Sequence, residues 1–243
     1  MLYLGKRYHI QYLGAFHVGE TDYSPLTSDR EIPTLAGHRG MSMTIETSVL
    51  GRDLAELNQG FLRLVAAGVD AGLSADVLAR LRALDRSARH RLATVPFALF
   101  GFGFDEEAAW AELLSPGVRD LEPDYRACEP SVERFTLLAL TVIRGFARTA
   151  PQSVSAWVGL TPGTRVRLAS LQVGTLGVVA PLAASRLRGR LAPRRALWLR
   201  FIEAVERNDA RQLALLATLG QQWTIRRSLG LSAPAQPVRG FRR

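Results

Sequence analysis

The chain has 243 residues, 47% of them hydrophobic and 22% charged, with 21 Gly and 12 Pro. That is enough to bury one large core or two small ones, and it excludes wholesale disorder and a collagen-like or low-complexity chain. The net charge of +9 hides a split: residues 1–133 carry 13 basic and 19 acidic side chains, and residues 134–243 carry 18 basic and 3 acidic. From Arg134 to Ile202 there are 11 arginines and no carboxylate. Such asymmetry points to a polyanion, to an acidic protein partner, or to docking of one half on the other.

Residues 1–47 read as an N-terminal arm and loop, aromatic at first and then rich in turn and cap formers, with Ser28 a candidate cap of a short helix. The first seven residues turn polar too soon for a secretory signal, and with one free cysteine the expected compartment is the cytoplasm. From Ser48 the apolar residues Leu50, Leu54, Leu57, Phe61, Leu62, Leu64 and Val65 recur at helical spacing. Ser74 and Asp85 are expected to cap the next two helices, and Asp105 a third that runs through Leu114. Between them Pro96 to Phe104 is an apolar, aromatic run.

Residues 116–131, with prolines and several carboxylates, read as a linker. A strongly apolar helix follows up to Pro151, then helices at 153–158, 162–171, 173–184, 196–208 and 209–228. Few segments alternate in the manner of a strand, so the expected class is all-α, with roughly ten helices. Residues 231–243, with Arg239, Arg242 and Arg243, read as a basic tail.

One spacing occurs twice. Gly72-Leu73 is followed by Leu81, Leu84, Leu92 and Ala93; Gly159-Leu160 is followed by Leu168, Leu171, Val179 and Ala180, an offset of 87 residues throughout. An apolar helix precedes each copy. Such a unit cannot bury its apolar face alone, but two packed together can. The expected organisation is therefore a first helical unit over 48–115, the linker, a second unit over 132–191, and C-terminal helices over 192–230.

The unit resembles the FlhD family, a subunit of the bacterial flagellar master transcription activator. In the first copy the resembling residues are Leu57-Asn58, Phe61 to Leu64, Gly72-Leu73-Ser74, Leu81, Leu84, Leu92-Ala93 and Phe102-Gly103-Phe104-Asp105. In the second they are Phe135 to Leu140, Ser155-Ala156, Gly159-Leu160, Leu168-Ala169, Leu171 and Ala180. The turn between Leu64 and Gly72 is shorter than the family pattern, and the second copy lacks the Phe-x-Phe-Asp ending. The resemblance implies an all-α fold, a fused pseudo-dimer, and promoter binding with a partner subunit. It assigns no DNA-contacting residue here.

Candidate phosphate-binding residues come from charge clustering instead: Arg186, Arg188, Arg190, Arg194, Arg195 and Arg200, then Arg226 and Arg227. Catalytic constellations are not found. Gly101-Phe102-Gly103 lacks the setting of a dinucleotide loop and reads as a tight aromatic turn. His9, His17, His38 and His90 lack metal spacing, and Cys128 lacks a base. Asp105-Glu106-Glu107 reads as charge at a helix start. The uncharged stretch from Leu168 to Ser185 is too diluted by Gln, Ser, Gly and Pro for a membrane span and is expected to split into two core helices. The expectation is a non-enzymatic DNA-binding regulator without cofactor or small-molecule substrate, acting as an oligomer or with a protein partner. The alternative is a helical adaptor whose basic half binds an acidic protein.

Overall fold

The computed structural model describes residues 49–115 and 130–231, all within one compact unit that spans residues 44–243. The arm over 1–47 with Ser28, His9, His17 and His38, the linker with Cys128, and the tail arginines lie outside the described residues. Those described form ten helices and two strands of two residues each: α1 (Val49–Ala66), α2 (Ala75–Ala83), α3 (Arg86–Ala93), β1 (Phe100–Gly101), α4 (Glu107–Leu113), α5 (Pro130–Thr149), α6 (Pro151–Val158), α7 (Pro162–Ser170), α8 (Val173–Ala184), β2 (Arg188–Gly189), α9 (Arg195–Glu206) and α10 (Ala210–Ser228). The fold is all-α.

Local chemistry explains most boundaries. Asp85 caps α3 by accepting from the Ala88 N–H at 2.6 Å, and Thr161 caps α7 by accepting from the Thr164 N–H. Ser74 occupies the N-cap position of α2 without a side-chain cap bond. Asp105 is not the cap expected of it: α4 starts at Glu107 behind Glu106, and Asp105 pairs with Arg227 instead. A charged guanidinium that donates two N–H groups to one carboxylate oxygen is a stronger partner than one amide N–H. The uncharged stretch breaks at Leu171, between α7 and α8. Among the described residues no helix is long and apolar enough to cross a membrane.

The two halves share a plan. Helices α2 and α7 are both nine residues long and start 87 positions apart. Each follows a glycine in the left-handed region, Gly72 at φ 66° and Gly159 at φ 71°, where a side chain would cost about 1–2 kcal/mol. Leu84 and Leu171, also 87 apart, end those helices in near-identical extended geometry. Strands β1 and β2 pair antiparallel with Gly101 opposite Arg188, again 87 apart. A residue that pairs with its own equivalent sits where a two-fold operation maps the chain onto itself. The packing obeys the same symmetry: α4 lies against α7 and α8, and its counterpart α9 against α2 and α3. Each half thus lends the helix after its short strand to the other.

The aromatic run is the centre of the core. Phe97, Phe100, Phe102 and Phe104 are buried. The rings of Phe100, Phe102 and Phe104 continue through Phe61, Phe135 and Trp110 in tilted and edge contacts with centroids 4.9–5.9 Å apart, a geometry that adds to area burial, while Phe97 meets Phe201 at 6.0 Å. Asn58, also buried, fixes the run to α1. Its amide donates to the carbonyls of Ala93 and Phe97 at 3.1 and 3.0 Å, and its oxygen accepts from the Leu99 N–H at 2.8 Å.

Candidate functional site

The sequence Leu187-Arg188-Gly189-Arg190-Leu191 alternates apolar or small with basic residues, and the structure uses that alternation. Leu187, Gly189 and Leu191 point into the core, and the Gly189 and Arg190 N–H groups donate to the carbonyls of Ala71 and Leu99 at 2.7 Å each. A side chain at Gly189 would lie 2.7 Å from Leu73. The basic segment is therefore a load on the core as well as a surface, and its arginines have separate fates.

Arg190 turns inward. Its guanidinium donates to the carbonyl oxygens of Phe100 (Nε, 3.2 Å) and Val158, and burial pushes its pKa down to about 10. It remains charged at neutral pH, but these bonds face the protein and not a ligand. Three others pair with carboxylates of the first half: Arg186 with Glu106 at 3.4 Å, Arg195 with Asp76 at 2.5 Å, and Arg227 with Asp105 at 2.5 Å. Arg80 of the first half pairs in return with Glu206. The hydrogen-bonded Arg195 guanidinium holds the Asp76 carboxyl at about 2, and Asp76 raises Arg195 in turn.

Arg194 lies over the Trp223 ring, 3.4 Å from its centroid. Arg188 is exposed and donates to the carbonyls of Ser185 and Leu187. Arg200 and Arg226 are exposed and have no carboxylate partner among the described residues. The same holds for Arg134, Arg148, Arg167 and Arg211, which clustering along the sequence does not single out.

Two clefts border the segment. One, of about 480 Å³, holds Arg186, Arg188 and Arg227 with Asp105 and Glu106 beside the β1–β2 crossing. The other, of about 550 Å³, lies between α9 and α10 and is lined by Arg194, Arg195, Arg200, Leu197, Leu219 and Trp223. Sequence reasoning did not find this groove, although the four-residue spacing of Arg211, Leu215, Leu219 and Trp223 marks one face of α10.

A repeated clamp was also missed. Trp110 Nε1 donates to the Phe102 carbonyl at 3.1 Å, and Trp198 Nε1 to the Arg190 carbonyl at 2.8 Å, each eight residues back. His90, exposed on α3, belongs to no cluster. Among the described residues no group of three or more His, Cys, Asp or Glu could hold a metal ion. No family model, no curated protein and no solved structure matches this chain.

Proposed function

We propose that this protein is a non-enzymatic regulator that binds DNA by its phosphates, built as a fused pair of helical units that resemble the FlhD family. The observation that carries the reading is a group of exposed arginines on the helices of the second half that have no carboxylate partner among the described residues: Arg200 and Arg226, with Arg134, Arg148, Arg167 and Arg211. These six lie on α5, α7, α9 and α10, in the half that is poor in carboxylates; Arg52, Arg63, Arg82 and Arg86 of the first half are likewise exposed without a carboxylate partner among the described residues. Exposed guanidinium groups neutralise phosphates and release counterions without reading sequence. Arg190 is excluded from this surface by its inward bonds. Arg186, Arg195 and Arg227 contribute only if DNA displaces Glu106, Asp76 and Asp105.

The test is fluorescence anisotropy of a labelled duplex across a salt series. The expected result is a Kd in the micromolar range or tighter near physiological salt, and an affinity that falls about 0.9 log units per log unit of salt for each phosphate contacted. Reversing Arg200 and Arg226 to Glu should abolish that binding. Unchanged affinity in the double variant overturns the reading. A second reading, an adaptor for an acidic protein, is favoured by the groove between α9 and α10, whose wall is apolar as well as basic.

A further inference from the structure

We infer that the groove between α9 and α10 is a docking site for an acidic amphipathic helix of a partner protein. This rests on the adaptor reading and names its surface and ligand chemistry.

Four observations converge on the groove. Its lining offers exposed apolar surface: Leu219 is 47% exposed, and Leu215, outside the lining but one turn earlier on α10, is 62% exposed and extends the apolar surface. With Trp223 these residues form a stripe at four-residue spacing, the pattern that accepts the i, i+4, i+7 anchors of a bound helix. The walls are basic, with Arg194 and Arg200 in the groove and Arg211 one turn before Leu215 on α10. Finally, the carboxylates of these two helices and their junction are already engaged. Glu203 pairs with Arg207 and Glu206 with Arg80, while Asp209 caps α10 by accepting from the Gln212 N–H. Of the groove arginines only Arg195 has a carboxylate partner among the described residues, Asp76. A ligand that supplies apolar anchors flanked by carboxylates answers both the floor and the walls.

Nucleic acid fits this groove less well. A single strand would use an aromatic face for base stacking, but Arg194 already covers a face of Trp223 at 3.4 Å. Phosphates also leave Leu215 and Leu219 unpaired with anything apolar.

The experiment uses the full chain and a labelled synthetic peptide of about 16 residues, with Leu at helical i, i+4, i+7 spacing and Glu on the flanks. Its control keeps every Glu and replaces Leu by Ser. The Leu peptide should bind and the Ser peptide should not. Leu219→Glu and Arg200→Glu should each weaken binding by about tenfold or more, with the thermal midpoint unchanged because both side chains are exposed. If the Leu peptide binds equally well to both variants, the groove assignment is overturned while the adaptor reading stands. If the Ser peptide binds as tightly as the Leu peptide, the surface is a plain polyanion site and the inference fails. If neither peptide binds, the adaptor reading fails with it.

Discussion

Asn58 is the side chain whose loss should tell most about how the core is held. Replacing it by Leu keeps the volume close and removes three buried hydrogen bonds, to the Ala93 and Phe97 carbonyls and from the Leu99 N–H. Each orphaned buried group costs roughly 1–3 kcal/mol, so the loss is about 3–9 kcal/mol. The apolar side chain returns about 2 kcal/mol through burial. A net destabilisation of about 4 kcal/mol is a large part of the roughly 5–15 kcal/mol that holds a domain of this kind. Urea unfolding followed by tryptophan fluorescence measures it, provided the slope of the transition is unchanged. Asn58→Asp sharpens the test. An ionised Asp can accept from Leu99 but faces two carbonyls, so its folded pKa must lie above its unfolded value. Its stability should therefore be highest below about pH 4, the ordinary Asp range, and should be lost as pH rises through the folded pKa. A loss under about 1 kcal/mol in Asn58→Leu, against the cost of even one orphaned group, would refute the claim that this amide anchors the aromatic run.

Arg190→Met should lower stability by about 2 kcal/mol, the loss of charge-assisted bonds less the relief of a buried charge, while DNA affinity of the folded protein stays the same; anisotropy beside urea unfolding separates the two. The Asp76 carboxyl should titrate at about 2 by NMR and return toward 3.8 in Arg195→Gln. Because the folded value is depressed, whatever this pair contributes is present above the ordinary value and is lost as pH falls from about 4 toward 2. Gly159→Ala should cost more than Gly72→Ala in a thermal melt. Both residues have positive φ, but a Cβ at 159 would lie 2.6 Å from the buried Arg190 guanidinium, whereas at 72 it meets the flexible Arg188 stem at 3.0 Å.

Much of the fold was legible because its signals are local. Helical spacing marked α1 and α5, and the cap at Asp85 depends on a residue only three positions on. The repeat was legible over Gly72 to Ala93 because left-handed glycines and inward leucines recur there without a gap. It faded at the next feature, where Trp110 and Trp198 make the same indole-to-carbonyl bond 88 residues apart, not 87. One added residue at the end of β2, between Arg188 and Arg190, hides that equivalence from an ungapped comparison. Asp105 was misread because an N-cap motif is local and its competitor, Arg227, is 122 positions away. The α9–α10 groove depends on where α10 lands. That is set by α6 and by Gly220, where an added Cβ would strike the Phe97 ring at 2.5 Å.

The charge asymmetry divides into two parts that sequence clustering merged. Arg186, Arg195 and Arg227 meet carboxylates of the first half, and Arg80 meets Glu206 in the opposite sense. Such exposed pairs are worth about 0–1 kcal/mol each, too little to hold the halves together. The interleaved helices and the aromatic core do that, and the ion pairs fix register between surfaces already pressed together. Arg190 belongs with the core for a different reason, since its bonds close backbone carbonyls from both halves. Once these are set aside, the arginines left facing water are not the densest run in the sequence. In the second half they are scattered over α5, α7, α9 and α10, where clustering marks Arg200 and Arg226 but not Arg134, Arg148, Arg167 or Arg211, and in the first half Arg52, Arg63, Arg82 and Arg86 also face water. A polyanion would therefore find charge on the helical faces rather than on the β2 segment, where most of the guanidinium groups already have partners within the chain.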